Sequence, residues 1–280
     1  MHSKKVLLVL IIAILVYIFS DLFCSQKLLS LSHYKYETNK IQGSLRVVQL
    51  SDLHNYQYGR NNIRLIRKIW NQHPDMIFMT GDMLNDENMR TDIIKNLITE
   101  LKVIAPVYYS FGNHEIAYIK NHTEQIELKE RLKDAGAVVL EQEYVDTEIT
   151  GKLVRIGGIY DYVLENNLKD SSEQRFMEDF QNTERFKILL SHIPEWLLLW
   201  KGMEKLDVDL FFSGHVHGGQ MRLPFIGGLY DPEEGWFPTY TKGMYECGNS
   251  TMILSAGLGS SRGIPRIHNL PDIVVCDINP

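Results

Sequence analysis

The chain has 280 residues, 44% of them hydrophobic, which is enough to bury one substantial core of α/β size in a single domain. A net charge of −6 at pH 7 argues against a nucleic-acid binder, which needs a basic face to grip phosphate backbones. Three cysteines, Cys24, Cys247 and Cys276, lack Cys-x-x-Cys spacing and indicate neither a disulfide framework nor a thiolate zinc site.

At the amino terminus Lys4 and Lys5 precede an unbroken apolar run, Val6 to Phe19, and apolar character continues past Ser20 and Asp21 to Phe23. As a helix this stretch is about 27 Å long, close to the thickness of a bilayer core. Residues 1–24 therefore read as an N-terminal membrane anchor. The alternatives are a cleaved signal peptide, although no small-x-small cleavage pattern follows, and a buried core helix, which would not be apolar on all sides. Leu22 and Phe23 before Cys24 do not fit a lipoprotein cleavage site. The positive-inside rule leaves Lys4 and Lys5 in the cytoplasm and puts the rest of the chain on the extracytoplasmic side of the membrane; signal cleavage would make it secreted instead. Residues 25–44 read as a polar connector.

From Leu45 onward, extended apolar runs alternate with helical patterns, the mark of α/β organisation. Strands are predicted at Leu45 to Leu50, Met76 to Met79, Val107 to Phe111, Val138 to Leu140, Leu153 to Ile156, Lys187 to Leu190, Leu210 to Phe212, Thr251 to Leu254 and Ile273 to Val275. Ile93, Ile94, Leu97, Ile98 and Leu101 share one helical face, and Ile63, Ile66 and Trp70 make a weaker stripe. Another helix is expected over Glu124 to Asp134, and Pro194 sits where a first helical turn begins. Gly218 to Gly248, rich in glycine, proline and aromatics, reads as a long surface excursion.

Five short motifs follow five of these apolar runs: Asp52-Leu53-His54, Gly81-Asp82, Gly112-Asn113-His114-Glu115, Ser191-His192 and Gly214-His215-Val216-His217. If the strands share a sheet and run the same way, all five meet at its carboxyl edge, where α/β sheets bind ligands. Residues two apart in an extended segment point the same way, so Asp52 with His54, and His215 with His217, would each present two ligands to one place. Gly81, Gly112 and Gly214 would permit tight turns and close backbone approach. Mixed imidazole and carboxylate donors suit divalent manganese, iron, zinc or nickel without selecting among them.

This ordered set resembles the calcineurin-like metallophosphoesterases, from about Leu45 to the carboxy terminus. His217-Gly218-Gly219-Gln220-Met221-Arg222-Leu223-Pro224, Gly257-Leu258-Gly259-Ser260-Ser261, Gly243-Met244-Tyr245 and Pro265-Arg266 are similar to the membrane-associated bacterial phosphodiesterase-like branch. The resemblance implies a metallophosphoesterase domain over 45–280, with mixed β-sheets packed as a sandwich flanked by helices. It implies two divalent metal ions, one held by Asp52, His54 and His217, the other by Asn113, His192 and His215, with Asp82 bridging. A hydroxide activated between the metals would attack phosphorus in line. His114 would act on the leaving oxygen, with Glu115 as its partner, and Asp161 would orient a ligand histidine. Arg222, Arg262 and Arg266 are candidates to receive a substrate phosphate or carboxylate. Trp236, Phe237 and Tyr240 would either cover a lipid or aglycone or hold their own loop down.

The expected activity is hydrolysis of a phosphodiester, or a phosphomonoester, by a membrane-anchored enzyme whose substrate is lipid-linked, derived from the envelope or derived from a nucleotide. The alternatives are a pyrophosphatase acting on a nucleotide-sugar lipid precursor and a non-catalytic binding module retaining the fold. The second would call for an incomplete ligand set, and the motifs here leave no core position unfilled.

Overall fold

The computed structural model describes residues 2–85, 90–121, 125–149, 151–161, 172–231, 234–260 and 264–280. Arg262, Ser261 and Glu124 fall outside them. In chain order the elements are α1 (His2–Lys27), β1 (Ser30–Glu37), β2 (Leu45–Leu50), α2 (Ile63–Trp70), β3 (Met76–Thr80), α3 (Thr91–Leu101), β4 (Val107–Ser110), α4 (Asn113–Asn121), α5 (Gln125–Ala135) and β5 (Ala137–Leu140). There follow β6 (Glu143–Ile149), β7 (Lys152–Ile159), α6 (Ser172–Gln181), β8 (Phe186–Ser191), α7 (Glu195–Leu198) and β9 (Leu210–Ser213). The short strands β10 (Arg222–Leu223), β11 (Gly227–Gly228), β12 (Tyr230–Asp231) and β13 (Gly235–Trp236) lead into β14 (Gly243–Cys247), β15 (Ser250–Leu254) and β16 (Asp272–Asn279).

The motif-bearing strands do not share one sheet. They divide between two six-stranded sheets, ordered β1-β16-β2-β3-β4-β5 and β14-β15-β9-β8-β7-β6. Strands β2 to β5 are parallel in the first, and β7, β8, β9 and β15 are parallel in the second. Both sheets are covered on both faces, which is why their central strands read as continuous apolar runs rather than alternating ones. Val47, Met76, Phe78 and Tyr108 of the first sheet pack on Ile188, Leu190, Leu210 and Phe212 of the second, forming the central layer. On the first sheet's outer face Val48, Ile77 and Tyr109 meet Leu65, Ile94, Leu97 and Leu132 from α2, α3 and α5. Phe176, Phe180, Trp196 and Leu197 cover the second sheet from outside. A buried glutamine ties the two sheets at the functional edge, where Gln49 Nε2 donates to Thr80 Oγ1 at 2.9 Å and to the Ser213 carbonyl at 2.8 Å.

The segment read as a polar connector, 25–44, contains an edge strand: β1 pairs in parallel with β16 from Ser30–Asp272 to Glu37–Asn279. Its polar alternation matches an edge strand with one open face, so polarity alone did not distinguish it from a linker. The excursion from Gly218 to Gly248 likewise has regular structure, with two two-stranded hairpins, β10–β11 and β12–β13, before β14 joins the second sheet. Helix α1 is no core helix. Its apolar side chains from Val6 to Phe19 are exposed, and Lys4–Lys27 is long and apolar enough to cross a membrane.

Candidate metal centre

Asp52, His54, Asp82, Asn113, His114, His192, His215 and His217 all follow strand ends of the two sheets, at the edge where β2, β3, β4, β8 and β9 terminate. The local geometry differs from the extended segments expected. Asp52, His54, Asp82, His215 and His217 all have left-handed backbones, with φ of 53°, 48°, 52°, 75° and 48°. Strand β2 ends at Leu50 and β9 at Ser213, so pleat periodicity has stopped before the motifs begin. Paired donors converge through tight left-handed turns instead, a conformation costing about 1–2 kcal/mol at each non-glycine residue.

Neighbouring loops hold these turns in place. Asp52, His54 and Asn55 donate backbone N–H groups to the carbonyls of Gly81, Asp82 and Met83, each at 3.0 Å. Leu258 and Gly259 donate to the Ser51 and Asp52 carbonyls, which gives the Gly257 to Ser260 stretch a place beneath the site. At Gly112 the requirement is space, because a Cβ there would lie 2.3 Å from Asp82 Oδ1. Gly81 combines a φ of 80° with equally close packing, a Cβ falling 2.6 Å from Gly112 Cα.

Three overlapping groups of donor atoms result, each mutually within 4.8 Å: Asp52, His54 and His217; His54, Asp82 and His114; and Asp82, His192 and His215. Asp82 Oδ2 lies 3.3 Å from His192 Nε2, 3.7 Å from His114 Nε2 and 3.9 Å from His54 Nε2. The Nε2 atoms of His54 and His217 face one another at 3.1 Å, with their rings stacked. Two further atoms are buried without a hydrogen-bond partner, Asn113 Oδ1 and His192 Nε2. Converging imidazole nitrogens, a shared carboxylate and an unsatisfied amide oxygen together make a donor set for divalent cations.

Residues 45–219 match the calcineurin-like phosphoesterase family. The chain belongs to that family. It is accordingly a metal-dependent phosphoester hydrolase. A metallophosphoesterase of Campylobacter jejuni is 30% identical over 249 residues, covering 86% of this chain but only 61% of that protein's length. The phosphodiesterase YaeI of Escherichia coli is 26% identical, covering 74% of this chain and 71% of its own. Among solved structures, GAP50 of Plasmodium, the anchor in the inner membrane complex, shares the fold with a TM-score of 0.50 at 13% identity, over 84% of this chain and 81% of that one.

Burial governs the charge states in this phosphoesterase. It pushes the imidazoles of His54 and His215 down to about 4 and about 3, and that of His217 well below the ordinary range, leaving them neutral with lone pairs available. Burial also pushes Asp52 up, to about 6, against the opposing charge of His192. His192 and Asp82 escape this trend. Burial opposes both charged forms, but their mutual attraction across 3.3 Å outweighs it, holding His192 protonated well above its usual range and Asp82 ionised well below its own. The other nitrogen of His192, Nδ1, lies 2.7 Å from the Thr80 carbonyl, which fixes the ring with Nε2 toward Asp82.

Several expected supporting roles take a different form. Glu115 is fully buried, and its contacts run to the Asp82 loop rather than to the His114 ring. Oε1 accepts from Met83 N, Leu84 N and Tyr109 OH, and Oε2 from Asp82 N and Gly112 N, at 2.8–3.0 Å. As the third residue of α4 it faces back along the helix start, a geometry that depends on where α4 begins. The His192 ring is oriented by the Thr80 carbonyl, while Asp161, expected to orient a ligand histidine, follows the end of β7.

The two described arginines donate to protein groups. Arg266 is 1% exposed, and its guanidinium donates to the Gly259 and Ala256 carbonyls beside His217 Nδ1. Arg222 donates to the Gly218 carbonyl and Thr241 Oγ1, pinning the excursion. Tyr240 packs against the second sheet's outer core and stacks edge-on with Tyr245, whereas Trp236 and Phe237 remain exposed. Two supporting residues outside the motifs come from distant segments. Asn269 donates to the His217 and Gln220 carbonyls, and Glu195 Oε1 lies 3.8 Å from His215 Nε2. Glu195, three residues after His192, was legible as part of His192-Ile193-Pro194-Glu195; Asn269 carries no local signal.

Proposed function

We propose that this phosphoesterase hydrolyses phosphodiesters with two divalent metal ions while held at a membrane by α1. Asp52, His54 and His217 would hold one ion and Asn113, His192 and His215 the other, with the Asp82 carboxylate between them. The observation that carries this reading is the position of Asp82, whose Oδ2 lies within 3.9 Å of imidazole nitrogens from three separate loops. When bound, such a pair supplies an acidified water as nucleophile and charge stabilisation for the phosphoryl oxygens.

The protein's own part is positioning and proton transfer. His114 and His215 have side chains 16% and 19% exposed, against 0% for His192 and 1% for His54, so the centre opens toward solvent on the His114–His215 side. A substrate entering there meets His114 Nε2 before the deeper ligands, and that nitrogen would pass its proton to the leaving oxygen. The His114 backbone N–H donates to Asp82 Oδ1 at 2.8 Å, which ties the backbone of the proton donor directly to the shared carboxylate. Preference for diesters is supported by the similarity to the phosphodiesterase YaeI.

The test uses the purified full-length chain in detergent with bis(p-nitrophenyl) phosphate. Turnover should vanish on chelation, return with manganese, saturate at two equivalents per chain and be abolished by Asp82→Ala. Undiminished turnover in that variant would overturn the reading.

A further inference from the structure

Helix α1 and the domain overlap along the helix axis. From Lys27 down to Tyr17 the helix lies against the domain: Lys27 Nζ donates to Tyr56 OH at 2.6 Å, and Ser25 Oγ accepts from Asn269 N at 3.4 Å. Asp21 accepts from the backbone N–H of His268 at 2.9 Å and pairs with its Nδ1 at 3.0 Å, while Tyr17 OH lies 3.1 Å from its Nε2. At 1.5 Å per residue this contact zone is about 15 Å long. The part left clear, Lys4 to Val16, is about 20 Å long, well short of a hydrocarbon core of about 30 Å. A bilayer crossed by α1 must therefore rise along the contact zone and reach the rim of the domain at His268.

That rim carries an apolar projection. Arg222 N donates to the Ile267 carbonyl at 2.9 Å, which sets the β10–β11 hairpin beside His268, and the two line an open cavity of about 480 Å³. Its tip reads Leu223-Pro224-Phe225-Ile226, uncharged, with Phe225 wholly exposed and Ile226 62% exposed. An uncharged, solvent-facing aromatic and aliphatic tip suits the interfacial layer of a membrane.

We infer that this hairpin tip inserts into the lipid bilayer beside α1, as a second membrane contact that fixes the tilt of the domain. The inference rests on the proposed anchoring by α1. Hairpin and site are joined by a short path, since His217 lies five residues before Arg222 and Asn269 ties the His217 carbonyl to the segment docked on α1. Two contacts on one bilayer hold the metal centre at a set height over the surface, so the substrate class it serves is a phosphoester presented at the membrane surface.

The experiment places an environment-sensitive fluorophore on Phe225→Cys in the full-length chain, with Cys24→Ser and Cys247→Ser removing the accessible native thiols. Val9→Cys on α1 and Val103→Cys, exposed in the turn before β4 at the opposite edge, serve as references. Each is reconstituted in vesicles of phosphatidylcholine and phosphatidylglycerol, with or without bromine on the acyl chains. Retained turnover of the soluble chromogenic diester shows that each variant is folded. Quenching at positions 225 and 9 but not at 103 is the expected result. Quenching at 9 alone would overturn the hairpin contact while leaving the anchor standing. No quenching at either would overturn the anchor and the inference together.

Discussion

Replacing Glu115 with glutamine tests how the site is built, because the change is nearly isosteric and its cost follows from counting donors. Oε1 of Glu115 accepts three hydrogen bonds and Oε2 two, all from donors that cannot reverse roles except the Tyr109 hydroxyl. Glutamine keeps one acceptor oxygen. In its better orientation it preserves the three bonds at Oε1 and turns an amide N–H group toward the N–H groups of Asp82 and Gly112. Two hydrogen bonds to a charged group are lost, at about 1.5–3 kcal/mol each, or about 3–6 kcal/mol in all. Set against a typical folding stability of about 5–15 kcal/mol, that is a large share. The orphaned donors flank the Asp82 carboxylate, so affinity for metal should fall too. Urea denaturation of the metal-free full-length chain measures the first effect, and calorimetric titration with manganese the second. Tyr109→Phe is the control, since it removes one donor and leaves the carboxylate four; it should cost about 1.5–3 kcal/mol, half the glutamine cost, and spare metal binding. A Glu115→Gln variant within about 1 kcal/mol of the parent, with unchanged manganese affinity, would refute the reasoning.

Two further outcomes follow from the same geometry. Arg266→Gln should lower thermal stability and loosen metal binding at Asp52, His54 and His217, because it breaks bonds to the Gly259 and Ala256 carbonyls. A raised KM with stability unchanged would return Arg266 to a substrate-binding role. Metal affinity should climb with pH: Asp82 holds a proton on His192 above the ordinary imidazole value of about 6.5, and a ligating metal must displace it. Stabilisation of the metal-free protein by this pair is complete below that value and fades as pH rises through the raised one, so displacement becomes easier in the alkaline direction, by up to about tenfold per pH unit. Titrations that are flat between pH 6.5 and 8.5 would contradict the assignment of the proton.

How much could be read in advance depended on the range of the forces involved. Fully buried strands such as Met76–Thr80 and Phe186–Ser191 announce themselves because burial on both faces demands unbroken apolar runs. Strand β1 and the polar strand β6 sit at sheet edges, where alternating polar residues resemble a linker. The motifs were legible as metal-ligand chemistry, but the route by which they converge was not. Left-handed φ at Asp52, His54, Asp82, His215 and His217 is imposed by hydrogen bonds between loops far apart in sequence.

The supporting residues mark the boundary most clearly. Arg266 and Glu115 are charged, and a charged residue in a sequence reads as a surface or substrate group until burial is known. Only the packed structure places Arg266 under His217 and Glu115 beneath the Asp82 loop, where each is surrounded by backbone groups that need it. By itself the sequence determined the donor chemistry, the strand-end placement of the motifs and an apolar amino-terminal helix, because these depend on residue type and local period. The tertiary structure decided the two-sheet assembly of the centre, the partners of its charged residues and the docking of α1 beside the hairpin. Those depend on contacts between residues as far apart as Tyr17 and His268, which no local pattern encodes.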